Sequence, residues 1–268
     1  MDPVTQHRQP VIDTSACRER LGAAGLLPAD ALSAFCVGSV ARGWATPASD
    51  VDIYVVTGEP FRIAESVGLT VPLYPDVVWA HIAYVDGRQW EIKYWTDGQV
   101  GQMLGKVSTE RFDAGGMAKS LTDVEEAFIE RLLTCLPIAG EQWVAERRDD
   151  IRKSAYREFV VSRSLAEADK AAGNAVGQLA ANHIHGAVLS AHAAMRCTVD
   201  ALLDSLECYG TVTPKWRARR MKDTAPAVLP FDQYWAMETM AYLDRDNPEP
   251  WVRQTISWCK QMTMEIEV

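Results

Sequence analysis

GSVARGWATPASDVDIYVV, residues 38–56, opens on a glycine–serine pair and closes in an apolar run that holds two aspartates two positions apart. In an extended chain Asp50 and Asp52 project to the same side. Like charges at that spacing repel, and burying either one without a partner is costly. A cation between them would resolve the conflict.

The residues just upstream point the same way. LSAFCV (32–37) is a short apolar run that ends at Gly38, as a buried strand would. A strand that passes through Gly-Ser into a helix aims backbone N–H groups at whatever lies above its tip, a geometry that favours phosphate. Gly38 permits close approach, and the Ser39 hydroxyl can donate to a phosphate oxygen. Two carboxylates facing one point suit Mg2+, which takes oxygen ligands. A phosphate cradle beside a carboxylate pair describes a metal–nucleotide site.

Outward from this stretch, DVDIYVV (50–56) reads as the second strand and VVWAHIAYV (77–85) as the third. Asp86-Gly87 is a hairpin turn, and QWEIKYWT (89–96) is the returning strand. A helix is predicted over 14–24, and helical material from about Asp97 to Leu136. From Glu141 the strand signals stop. Long helical stretches follow, with Gly173 and Gly210 as breaks and further helices near 231–243 and 250–266. Pro137 and Gly140 place a domain boundary near 140. The expected architecture is α+β: a small mixed sheet flanked by helices in 1–140, then an all-α domain in 141–268.

The chain has 268 residues, 48% hydrophobic and 24% charged, which is enough to build a real core. Its formal net charge of −9 argues against a protein whose main work is gripping nucleic acid. MDPVTQHRQPVID lacks the pattern of a signal peptide, and no apolar run approaches the roughly 20 residues that span a bilayer. The six cysteines contain no CxxC pair. The expectation is a cytoplasmic protein without disulfides or structural zinc, a monomer or homodimer.

Val37-Gly38-Ser39, the spacer 40–49 and Asp50-Val51-Asp52-Ile53 resemble the DNA polymerase β-type nucleotidyltransferase superfamily. Ala41-Arg42-Gly43 and Ser49-Asp50 match its common bacterial form. The resemblance implies a third carboxylate on a later strand. Glu91 is the candidate; Asp76 and Asp86 compete, but both sit beside turn residues, where aspartate is expected anyway. The alternative reading of Glu91 is a strand glutamate paired with Lys93 on the same face. By resemblance, Asp50, Asp52 and Glu91 hold a pair of Mg2+ ions, and Gly38, Ser39 and neighbouring amides bind the phosphates of an NTP, with ATP favoured. Glu91 completes the metal shell or takes the acceptor's proton. Arg42 either reaches phosphate or orders the loop by pairing with an acid such as Asp50. Trp44 either lines the cleft or packs under the loop.

The segment 183–223 resembles the helical domain of bacterial small-molecule, antibiotic-type nucleotidyltransferases, which carry a Pro-x-Lys-Trp-like segment after a long helix. Pro214-Lys215-Trp216 is a short match, and Lys215 is a candidate phosphate ligand across the cleft. Arg217, Arg219 and Arg220 read as surface residues. His183, His185 and His192 lack a further ligand at suitable spacing and read as core or surface histidines. The function expected is transfer of a nucleoside monophosphate, AMP foremost, to a hydroxyl on a small molecule, an antibiotic or a natural-product intermediate. The acidic balance suits a cationic acceptor. The alternative is a nucleotidyltransferase that modifies a partner protein, either by AMPylation or as an antitoxin-type enzyme.

Overall fold

The four predicted strands form, 77–85 with the ends expected and the other three with one or both ends moved by a residue. The computed structural model describes residues 12–114 and 121–268, so most of the N-terminal segment read for a leader, and part of the helical stretch after Asp97, lie outside the described residues. In chain order come α1 (Thr14–Ala23), β1 (Ser33–Val37), α2 (Gly38–Ala41), β2 (Val51–Thr57), β3 (Val67–Thr70), β4 (Val77–Val85) and β5 (Arg88–Thr96). Then follow α3 (Asp97–Lys106), α4 (Thr109–Asp113), α5 (Asp123–Thr134), β6 (Leu136–Ala139) and α6 (Glu141–Lys153). The helical part holds α7 (Tyr156–Ala180), α8 (Ile184–Ser205), a 3-10 turn at Pro214–Trp216, α9 (Arg217–Thr224), α10 (Phe231–Glu238) and α11 (Glu249–Thr263). No helix among the described residues is long and apolar enough to cross a membrane.

The chain divides into two compact units, Met1–Arg111 with Lys119–Ser154, and Phe112–Ala118 with Ala155–Val268. The first is a six-stranded mixed sheet in the order β3-β4-β5-β2-β1-β6. β2 runs parallel to β5 and antiparallel to β1, in registers that set Asp52 opposite Glu91 on one side and Val37 on the other. Both sheet faces are covered, which is why β2 reads as an apolar run rather than an alternation. On one face Val51, Ile53, Val55, Trp90, Ile92 and Tyr94 pack with Cys17 and Leu21 of α1. On the other, Tyr54 stacks on Phe128 of α5 at 5.5 Å, and Phe35 on Trp143 of α6 at 6.1 Å. Asp52 and Glu91 lie at the rim of that aromatic face, one strand step from Tyr54 and two from Trp95.

Four local readings are corrected. β3 was not expected; its residues are all exposed, and the alternation of Val67 and Leu69 is too short to announce a strand. β6, expected as the end of a helix, is an edge strand beside β1, where Pro137 is tolerated because a ladder bond is needed on one side only. Gly173 does not break a helix, since α7 runs through it for 25 residues; the turn comes at Asn182, with φ +59°. Finally, Arg217 and Arg220 are buried rather than superficial. Asp200 and Asp204, a helical turn apart on α8, meet these two arginines, a turn apart on α9. Arg217 reaches both oxygens of Asp200 at 2.7–3.0 Å, and Arg220 reaches Asp200 at 2.9 Å and Asp204 at 2.8 Å. Arg219 alone of the three is half-exposed, paired with Asp223.

A Cβ at Gly173 would meet nothing within 4 Å. Gly173→Ala is therefore expected to stabilise the chain by about 0.5–1 kcal/mol, by restricting the unfolded state and restoring helix propensity. Chemical denaturation at unchanged m-value measures this.

Candidate active site

Gly38 closes β1 with φ +71°, in the left-handed region. It also lies against Asp52: a Cβ there would stand 2.5 Å from Asp52 Oδ2. Two separate demands thus fix glycine at this position, the backbone turn and the approach of a carboxylate. The helix after it is one turn long. Whatever binds above the loop meets a few local amides rather than the end of a long helix dipole.

The spacer is tied down at several points. Thr46 and Ser49 bond each other, the Thr46 N–H donating to Ser49 Oγ at 2.9 Å and the Ser49 N–H to the Thr46 carbonyl at 3.0 Å. Arg88 Nε donates to the Ser49 carbonyl at 2.9 Å, pinning the loop to the β4–β5 hairpin immediately before Asp50. Arg42 Nη2 meets Glu130 of α5 at 3.1 Å, both side chains largely buried, and its guanidinium lies 4.7 Å over the Trp44 ring. Of the two roles foreseen for Arg42, the loop-ordering contact is the one visible, made to Glu130 instead of Asp50. Trp44 is buried.

Asp50, Asp52 and Glu91 converge, each offering a carboxylate oxygen within 4.8 Å of the others. Among the described residues no histidine or cysteine joins such a group. The competing acids are elsewhere: Asp86 pairs with Arg20 at 2.8 Å in the hairpin turn, and Asp76 is outside the cluster. Glu91 also meets Lys93 at 2.8 Å, so the strand-face ion pair and the acidic cluster coexist. Burial pushes the Asp52 carboxyl above its usual range, and Asp50 and Glu91 push it further, while Arg131 and Lys93 pull it down. Three acids this close, one largely buried, form an oxygen-only donor set that matches a hard divalent cation.

Sequence reasoning passed over Tyr54, Glu130 and Arg131. Arg131 of α5 donates to the Tyr54 hydroxyl and lies 5.6 Å over its ring. Burial alone would lower Arg131, but Tyr54, Asp52 and Glu130 outweigh it and keep the guanidinium firmly charged. Tyr54 was within reach of the period-two rule that pairs Asp50 with Asp52; nothing local to α5 announces Arg131. In the second unit, Lys215 sits in the 214–216 turn with its Nζ 5.4 Å from the Trp216 ring. His192 is buried, its Nε2 3.0 Å from the Glu238 carbonyl, and burial lowers its pKa.

Residues 26–111 match the family described as nucleotidyltransferase domain. No curated protein matches the chain. Among solved structures it is similar to a nucleotidyltransferase-like protein from Exiguobacterium sibiricum, at 10% identity and a TM-score of 0.49, over 94% of this chain and 74% of that one. The matched span contains Gly38, Asp50, Asp52 and Glu91, so residues 26–111 carry a nucleotidyltransferase domain of the DNA polymerase β type, the domain of a transferase.

Proposed function

We propose that the chain transfers a nucleoside monophosphate, AMP foremost, from an NTP to a hydroxyl of a small-molecule acceptor and releases pyrophosphate. The observation that carries this reading is the oxygen-only triad of Asp50, Asp52 and Glu91 seated against Gly38, where both the left-handed backbone and the nearness of Asp52 disfavour a side chain. These three residues would hold Mg2+. When bound, it would neutralise the triphosphate and make the α-phosphorus more electrophilic.

The chain's own groups do the rest. The Gly38–Ser39 turn presents amides and a hydroxyl to the β- and γ-phosphates. Arg42, Glu130 and Trp44 hold the spacer, so Asp50 enters β2 in a fixed position. In the transfer, the acceptor's hydroxyl oxygen bonds to the α-phosphorus as the bond to pyrophosphate breaks. The hydroxyl proton passes to Glu91, which the Lys93 ammonium holds at 2.8 Å, or to solvent. Lys215 is proposed as a further phosphate ligand, residues 1–140 as the catalytic domain and 141–268 as the helical wall.

Titration calorimetry with Mg2+ and non-hydrolysable analogues of the four NTPs tests the reading. Binding of at least one analogue, dependent on Mg2+ and strongest for the adenine form, is expected; binding of none overturns it. Incubation with labelled ATP and an extract separates the acceptor classes. Label in small metabolites supports the reading, and label confined to one protein band would replace it with a protein-modifying enzyme.

A further inference from the structure

Beside Asp50 the first unit holds a cavity of about 340 Å3, walled by the 47–50 loop and the 87–89 hairpin tip. That is the small end of the roughly 300–1,000 Å3 usual for small-ligand pockets. Its place in the sheet says which substrate it suits. β1 and its Gly38–Ser39 turn lie on one flank of β2, and β5 with its hairpin on the other. Asp50 and Asp52 stand between them, with Glu91 on β5 itself. A triphosphate gripped on the β1 side leaves the β5 side to the second substrate.

The pocket's chemistry is set by Arg88 and Gln89. The bond from Arg88 Nε to Ser49 fixes the guanidinium in the pocket wall, and its terminal nitrogens have no hydrogen-bond partner among the described residues. Arg88 also edges a hollow of about 170 Å3 towards Cys17 and Trp90, where the charges of Arg20 and Asp86 already satisfy each other. Gln89 lines the pocket together with Asp50, and its Oε1 accepts a long bond of 3.4 Å from Tyr84. Its two amide N–H donors remain for a ligand. A planar fork of charged donors next to a neutral amide matches a carboxylate or phosphate group.

We infer that this pocket is the acceptor subsite and that the acceptor carries an oxyanion, a carboxylate or a phosphate, beside the hydroxyl that is nucleotidylated. This rests on the transfer reading above. The net charge of −9 draws cations towards the molecule as a whole, but the seated contact is decided by the groups lining the pocket.

Calorimetric titration of the full chain tests it, with Mg2+ and a non-hydrolysable ATP analogue present. Glycerate and glycerol 3-phosphate serve as oxyanion probes, glycerol as the neutral control and kanamycin as the cationic one. At least one acid is expected to bind and glycerol not; whichever acid binds better identifies the oxyanion. Arg88→Gln is expected to weaken that binding tenfold or more. Because Arg88 also anchors Ser49, Gln89→Leu provides a second variant that spares this anchor, with a threefold or greater loss expected. Acid binding unaltered in both variants, binding of kanamycin alone, binding of no probe, or displacement of the acid by the nucleotide overturns the inference. Arg88-dependent acid binding without nucleotide binding would leave the subsite standing and remove the transfer reading instead.

Discussion

Asp52→Asn is expected to lower turnover on the order of 10³-fold, about 4 kcal/mol of lost transition-state stabilisation, while raising the melting temperature of the metal-free chain. The two effects share one cause. Asp52 is mostly buried and faces two more carboxylates, so its folded pKa stands above the unfolded one. Such a group contributes stability below the unfolded pKa, and that contribution is lost as pH rises through the folded pKa. At neutral pH the wild type bears this cost and the asparagine variant does not. A gain of 1 kcal/mol would appear as a rise of about 2–4 °C. Added Mg2+ should stabilise the wild type and close the gap, whereas the variant should gain little. Steady-state kinetics and melting curves with and without Mg2+ read both halves. A variant that loses activity and stability together would mean that Asp52 is a structural carboxylate.

Gly38→Ala is expected to abolish activity comparably but to lower stability, by about 2 kcal/mol or more. Left-handed backbone costs a residue with a Cβ about 1–2 kcal/mol. The new methyl would also stand 2.5 Å from Asp52 Oδ2, so the turn or the carboxylate must move. Shortening the partner separates the two costs. In the double variant Gly38→Ala with Asp52→Ala the contact disappears and the backbone strain stays, so stability should recover in part and activity not at all. A double-mutant cycle of denaturation midpoints measures this coupling, expected at about 1 kcal/mol or more for groups in contact. Independent, additive effects would show that the loop can relax away from β2.

Much of this centre was legible because its signals are local. Gly38, Ser39, Asp50 and Asp52 fall within fifteen consecutive residues. Glu91 sits in a strand announced by its own hairpin turn, and the parallel register brings it level with Asp52. What could not be read depends on partners far along the chain. Glu130 and Arg131 belong to a helix whose sequence gives no reason to expect a catalytic neighbour. Arg217 and Arg220 looked like a solvated basic face because the aspartates that bury them come from α8, before the turn. Gly173 read as a break because glycine weakens a helix, yet the long packing of α7 along α8 overrides a cost of about 1 kcal/mol. β3 was missed because an exposed edge of four residues carries too short an alternation, Val67 and Leu69, to stand out from a loop.

Asp52 and Glu91 stand on β2 and β5, two interior strands bonded on both sides, with Asp50 just before β2, while the pocket beside them is walled by a loop and a hairpin tip. Floor and wall therefore answer to different constraints during evolution. A change at 47–49 or 87–89 disturbs few ladder bonds and can alter which molecule is accepted. A change at 52 or 91 strikes the middle of the sheet. Such a division lets one reaction be passed intact to new acceptors, and libraries randomised only in the wall should keep their fold while their substrate range drifts.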